Sequence, residues 1–340
     1  MIPPHPATHV PGHHLAPART TLALLQRELH TRWQPDEERV HRISRYALVP
    51  AGKLLRPLLL VESAAALGNP REPFLPAALG VEYLHVGSLV HDDVIDEDAL
   101  RRGRPSVAAL HGSSDAIVTG DSLMMRMFAA VAECTEYGLP ASRVLDAVRI
   151  LAQAGMDLCS GQAMEGRLRG DLGCGLDAYF SMTALKTGAL FRGACRAGRA
   201  LGGGSHEDDC TLTGYAHHLG RAFQMHDDLL PHISDSSATG KPDLSDMANS
   251  RPTFPVLLCH EMSGPSGRAR LSAALAGRLP TAEAHEVVRE LLHSTGALEL
   301  ARERSRTETD LAKEYLTRLP VTESAEILAS VADLAVDREN

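Results

Sequence analysis

The chain has 340 residues, enough for one large domain or two ordinary ones, and its 44% hydrophobic and 23% charged content is that of a globular protein with a sizeable core. A net charge of −9 and a pI near 6.0 exclude whole-chain attraction to nucleic acid or an anionic membrane. An anionic ligand would therefore need local basic clusters or bound metal.

Residues 1–19, rich in Pro and His, lack the apolar run of a signal peptide and are expected to form a disordered leader. From residue 20 to 340 the texture is Ala, Leu, Arg and Glu with apolar residues at helical spacing, as in "TLALLQREL", "SRVLDAVRILAQAGMDL" and "ESAEILASVADLAVD". Gly and Pro clusters such as "ALGNPREPFLP" and "RLRGDLGCG" punctuate the helices, and no composition shift marks a linker. The expected fold is all-α, a single domain over 20–340 of about ten or more helices. "LLRPLLLVESAAALG" is the best membrane-span candidate, and Arg56, Pro57 and Glu62 interrupt it, so no span is expected. The six cysteines show no C-x-x-C pairing and read as reduced thiols of a cytoplasmic protein.

In chain order, the first candidate for chemistry is "AGKLLRP", which places Lys53 and Arg56 after Gly52 at a loop-to-helix junction. Next comes "VEYLHVGSLVHDDVIDEDALRRGRPSV". In a helix Asp92 and Asp96 share one face with Asp93 beside them, and no basic residue sits within the cluster. A solvated acidic face would explain a generic acidic run. Here Leu89, Val90, Val94 and Ile95 surround the acids and imply a mostly buried helix, where unpaired carboxylates need a cation. Oxygen ligands without Cys or paired His favour Mg2+, which commonly bridges to phosphate. Arg101, Arg102 and Arg104 follow directly in "LRRGRP".

"GDSLMMRMFAA" then brings Met124, Met125, Met127 and Phe128 onto the next helix, as core filler or as the floor of a cavity. "LKTGALFRG" carries Lys186 and Thr187. "GRAFQMHDDLLPHISD" repeats the acidic device with Asp227 and Asp228 after Gln224, but Pro231 stands where a third acid would fall. Proline there should kink or end the helix, and Asp235 has the wrong spacing to substitute. Lys241 in "TGKP" and Arg251 in "SRPT" complete the set of cations. Two acidic clusters on separate helices suggest opposed walls of one cavity that holds metal on either side of a polyphosphate. The His13-His14 and His217-His218 pairs lack the spacing of a zinc site.

Taken together, G-K-x-x-R-P, H-D-D-x-x-D followed by R-R-G, G-D-x-L, K-T-G, F-Q-x-x-D-D and G-K stand in the order found in the trans-isoprenyl diphosphate synthases, and from Gly52 to Pro255 the chain resembles that family. The resemblance implies an all-α bundle around a deep central cavity of the isoprenoid synthase type. It further implies a homodimer working in the cytoplasm with Mg2+, about three ions in one active site. The implied substrates are isopentenyl diphosphate and an allylic diphosphate. By the same resemblance, Asp92, Asp93 and Asp96 bind magnesium on the allylic diphosphate, and Asp227 and Asp228 hold metal on its other side. Arg101, Lys186 and Lys241 contact that diphosphate. Gly52, Lys53, Arg56, His85 and Arg102 form the metal-free pocket for isopentenyl diphosphate. Thr187 and Gln224 line the reacting carbons, and Arg251 stands where many relatives have Lys.

Product length is expected to follow cavity depth below Asp92. Gly87 and Ser88, about 6 Å deeper on the helix, are small, whereas Met124, Met127 and Phe128 oppose a long tunnel. The expected product is geranylgeranyl diphosphate, with farnesyl or longer chains as alternatives. A class I terpene cyclase would share the first acidic motif, but its N-D-x-x-S-x-x-x-E element is absent from the sequence. A non-catalytic subunit of a heteromeric synthase remains an alternative because the second motif is incomplete. With Pro231 in place, the second metal site is expected to be weakened and anchored by Asp227.

Overall fold

The computed structural model describes residues 16–233 and 251–336. Among these, fifteen α-helices and one short hairpin account for nearly all regular structure, as the helical periodicity demands. The first six helices are α1 (Arg19–Arg32), α2 (Arg39–Leu48), α3 (Leu55–Ala65), α4 (Leu75–Ile95), α5 (Val107–His111) and α6 (Ser113–Ala132). Between α4 and α5 lie β1 (Leu100–Arg101) and β2 (Arg104–Pro105). Next come α7 (Ala141–Leu168), α8 (Gly175–Lys186), α9 (Gly188–Gly202) and α10 (His206–Ile233). The remainder are α11 (Phe254–Met262), α12 (Pro265–Leu275), α13 (Thr281–Thr295), α14 (Ala297–Leu316) and α15 (Glu323–Val336). No described helix is long and apolar enough to cross a membrane.

The chain divides into two compact units. The first comprises Met1–Gln153, Gly193–Thr213 and Leu316–Val331, and the second Ala154–Arg192, Gly214–Tyr315 and Ala332–Asn340.

In the first unit, α3 and α4 are buried on nearly every face, which explains why their sequences are apolar all round. α4 packs against α6 through glycines that let the two backbones meet. A Cβ on Gly87 would lie 2.9 Å from the Gly120 carbonyl oxygen, and one on Gly80 would lie 3.1 Å from that of Met127. Glu62, fully buried on α3, is held by the Thr21 hydroxyl at 2.5 Å and by Arg71 at 2.9 and 3.1 Å. Arg71 also reaches Glu323 at 3.1 Å, so one paired charge ties α1, α3 and α15.

The hairpin was not expected from the sequence. Its two-residue turn, Arg102-Gly103, has φ of 52° and 72°, the paired left-handed conformation that matches strand twist in tight hairpins. Ser106 ends it by capping α5, accepting the Ala109 amide at 3.0 Å.

In the second unit the rings of Tyr179, Phe180 and Phe254 lie 5.3–5.8 Å apart. Met225, Leu229, Leu257 and Val288 fill the core around them. α10 is not interrupted at Pro231, because that residue lies in its last turn and the helix runs on to Ile233. The loss there is confined to one amide, the one that would have reached the Asp227 carbonyl.

Candidate active site

The C-terminal end of α4 gathers the first acidic motif. Helix carbonyls point outward at this end and carry partial negative charge, so carboxylates here are doubly unfavourable without cations. The hairpin supplies one. Arg101 donates through Nε to Asp93 Oδ1 at 2.8 Å and through Nη2 to the same oxygen, and it reaches Asp98 at 3.3 Å. Asp93 is only 2% exposed, and burial pushes its carboxyl above the usual range although Arg101 opposes the shift. Asp92 and Asp96 are half-buried, and the Asp96 amide closes the last α4 turn onto the Asp92 carbonyl at 2.8 Å. Folding thus distinguishes the three acids: Asp93 is buried against Arg101, while Asp92 and Asp96 are half-buried.

A second cluster in the same unit is cationic. Arg56, in the first turn of α3, donates to His85 Nε2 at 3.1 Å. An arginine can only donate, so this nitrogen accepts and His85 carries its proton on Nδ1. Burial, and then Arg56, Arg102 and Arg101, hold His85 well below its ordinary range and therefore neutral. One turn earlier Glu82 is 3% exposed, its carboxyl raised by burial against the opposing pull of Arg102 and Arg56. The Arg102 guanidinium lies against Gly52, where any Cβ would collide with it. Lys53 is exposed beside them. Arg104 fixes the hairpin by donating to the Tyr46 carbonyl at 3.0 Å and stacking over the Tyr46 ring, 4.7 Å from its centre. The Tyr46 hydroxyl donates to the Pro105 carbonyl at 2.8 Å. A small cleft, lined by Tyr46, Leu89, Asp93 and Arg101 among others, opens beside the turn.

The second unit carries the other expected residues. Lys186, at the end of α8, donates to Glu165 Oε2 at 2.6 Å, and Arg251 lies 3.9 Å from the same oxygen. α7 and α8 approach so closely at Gly161 that a Cβ there would collide with the Lys186 backbone. The Thr187 hydroxyl donates to Gln224 Oε1 at 2.6 Å, and Gln224 Nε2 donates to Asp228 Oδ1 at 2.8 Å. Asp228 is 7% exposed and Asp227, its neighbour on α10, is exposed. Lys241 and Asp235 lie outside the described residues.

The family model described as polyprenyl synthetase matches residues 37–293. The chain belongs to the polyprenyl synthetase family. It is an enzyme that transfers prenyl groups. It is 33% identical over 303 residues to a short chain isoprenyl diphosphate synthase of Methanothermobacter thermautotrophicus, covering 89% of this chain and 91% of that protein. It is 30% identical over 305 residues to a geranylfarnesyl diphosphate synthase of Aeropyrum pernix, covering 88% and 95%. A polyprenyl synthase of Caulobacter crescentus, crystallised with calcium and isoprenyl diphosphate, superimposes with a TM-score of 0.86 at 29% identity, covering 99% and 100%.

For a member of the polyprenyl synthetase family the donor chemistry at the end of α4 suits a hard divalent cation. Asp92 and Asp96 offer only oxygen, on one face, beside a helix terminus that favours positive charge. Among the described residues no three His, Cys, Asp or Glu side chains are grouped to hold an ion alone, so the remaining ligands would be water and diphosphate oxygen.

Of the expected length-determining residues, Gly87 abuts the α6 backbone and Ser88 is buried with its hydroxyl on the His85 carbonyl at 2.7 Å. Met127 is 1% exposed and Met124 half-buried, whereas Phe128 is 36% exposed. Glu165, Glu82 and Tyr46 were missed in the sequence.

Proposed function

We propose that this enzyme condenses isopentenyl diphosphate head-to-tail with an allylic diphosphate, in the presence of Mg2+, and releases geranylgeranyl diphosphate. The observation that carries this reading is the cationic cluster of half-buried Arg56, neutral half-buried His85 and exposed Arg102 against Gly52, beside the hairpin whose Arg101 pairs with Asp93. It offers a diphosphate a place without metal, which a condensing enzyme needs and a cyclase does not.

In this reading Gly52, Lys53, Arg56, His85 and Arg102 bind isopentenyl diphosphate. Arg101, Lys186 and Lys241 contact the allylic diphosphate. Asp92 and Asp96 hold Mg2+ from one motif and Asp227 from the other, with Asp93 orienting Arg101. Bound Mg2+ supplies Lewis-acid stabilisation of the diphosphate as a leaving group. The allylic C–O bond breaks and its electron pair leaves with pyrophosphate. The isopentenyl double bond then attacks the allylic carbon, and a proton passes to the pyrophosphate. Thr187 and Gln224 face the electron-poor carbons, and the arginines stabilise charge on the departing group. Small Ser88 below Asp92 leaves room for a chain longer than farnesyl, and buried Met127 limits its depth.

The match to one family from 37 to 293 supports residues 20–340 acting as one catalytic domain. Exposed Val118, Met125 and Phe128 recur at helical spacing along α6 and support a homodimer. The six free cysteines agree with a cytoplasmic setting. The test is incubation of pure protein with Mg2+, isopentenyl diphosphate and each allylic primer in turn. Elongated product of twenty carbons is expected, and absence of any elongation defeats the reading.

A further inference from the structure

Asp227 and Asp228 are adjacent and chemically identical, and folding gives them different surroundings. Asp227 is exposed, while donors from three described residues reach the Asp228 carboxylate. Gln224 Nε2 reaches Oδ1 at 2.8 Å, the Tyr179 hydroxyl reaches Oδ2 at 2.7 Å, and the Phe254 amide reaches Oδ2 at 2.8 Å. A carboxylate can only accept, so Gln224 must turn its NH2 towards Asp228 and its carbonyl away. That carbonyl takes the proton of the Thr187 hydroxyl at 2.6 Å. Thr187 has one hydroxyl proton. With it committed to Gln224, the oxygen has only lone pairs to present to anything else.

We propose that Asp228 is a positioning residue and not a metal ligand: acting through Gln224, it sets the direction of the Thr187 hydroxyl so that lone pairs face the allylic carbon as positive charge develops there. The dipoles of the relay are aligned, with the carboxylate charge at one end and the exposed lone pairs at the other. They need no reorientation when the C–O bond breaks. Burial of Asp228 strengthens each link, because water does not compete for its oxygens. The Phe254 amide opens α11, so the same carboxylate also anchors the helix that follows Arg251. This inference rests on the proposed reaction, in which Thr187 lines the reacting carbons.

The experiment joins a metal titration to a double-mutant cycle. Mn2+ binding in the presence of pyrophosphate is followed by electron paramagnetic resonance for the unsubstituted enzyme and Asp228→Asn. The number of bound ions and their affinity should be unchanged. In Asp228→Asn the amide carbonyl can keep the Tyr179 and Phe254 donors, which sets its NH2 against the NH2 of Gln224 and breaks the relay there, so kcat should fall about 10–100-fold with KM for both substrates within about twofold. In a Thr187→Val background the same substitution should cost less than about a fifth of that factor, because the group it acts through is gone. Loss of a Mn2+ ion, or an equal loss of kcat in both backgrounds, overturns the proposal. Should Asp228→Asn fail to fold, Tyr179→Phe removes one donor and keeps the carboxylate. An unchanged Mn2+ titration with a kcat loss that vanishes in the Thr187→Val background supports the relay, and no loss of kcat overturns it. If the unsubstituted enzyme elongates no primer, the proposed reaction fails, while the Mn2+ titration still decides whether Asp228 holds metal.

Discussion

The missing Cβ of Gly52 leaves the space that the Arg102 guanidinium fills, and this contact lies at the tip of a flexible side chain. Gly52→Ala should therefore displace the guanidinium without unpacking the core. The expected result is a rise of about tenfold in KM for isopentenyl diphosphate, equivalent to about 1.4 kcal/mol, with the melting temperature and the KM for the allylic substrate little changed. Steady-state kinetics with each substrate varied in turn would check it, and an equal rise in both KM values would mean that Arg102 does not belong to one pocket. Residue identity was readable at this scale, and residue surroundings were not. The sequence anchors the second motif at Asp227 and groups Asp92, Asp93 and Asp96 as one set, without showing which acids are buried or what holds them. In each Asp-Asp pair the second acid is the buried one. Its partners come from elsewhere in the chain, Arg101 for Asp93 and both Tyr179 and Phe254 for Asp228, so no local pattern announces them.

Elements divide in the same way. Helices were legible because a 3.6-residue period repeats over many turns, and α4, α6 and α10 lie where that period and the motifs placed them. The hairpin was illegible because strands of two residues cannot show alternation, and an arginine at positive φ gives no warning in a sequence. Packing of α4 on α6 was also hidden. Gly87, a candidate for cavity space, is small because the α6 backbone occupies the place of its side chain. Under the proposed reaction, cavity depth would then rest on side chains such as Met127. Met127→Ala is expected to lengthen the main product by at least one five-carbon unit, at a stability cost of about 2–5 kcal/mol for a fully buried truncation. Chromatography of the dephosphorylated products, alongside a denaturant melt, reads both effects. An unchanged product in a folded variant would remove Met127 from the cavity floor.

Folding of the whole molecule is coupled to protons through histidines that burial keeps neutral. His85, His217, His232 and His260 all lie below the ordinary value of 6.5, in each case with burial as the largest cause. For His232 the depression is to about 4, with His285 adding to the effect of burial. The unfolded chain protonates these groups near pH 6.5 and the folded chain does not. Between pH 6.5 and the folded value the unfolded state therefore binds more protons, and stability falls as the solution becomes more acidic. Above pH 6.5 both states are neutral and the contribution is flat. His232 alone should remove roughly 2 kcal/mol between pH 7 and pH 5, at about 1.4 kcal/mol for each pH unit below 6.5. The measurement is urea unfolding of the unsubstituted enzyme and His232→Gln across this range. The variant carries a constant offset from altered packing, and its stability should fall less steeply by that amount. Parallel curves would mean that His232 titrates alike in the folded and unfolded chains, and that burial at the end of α10 does not hold it neutral.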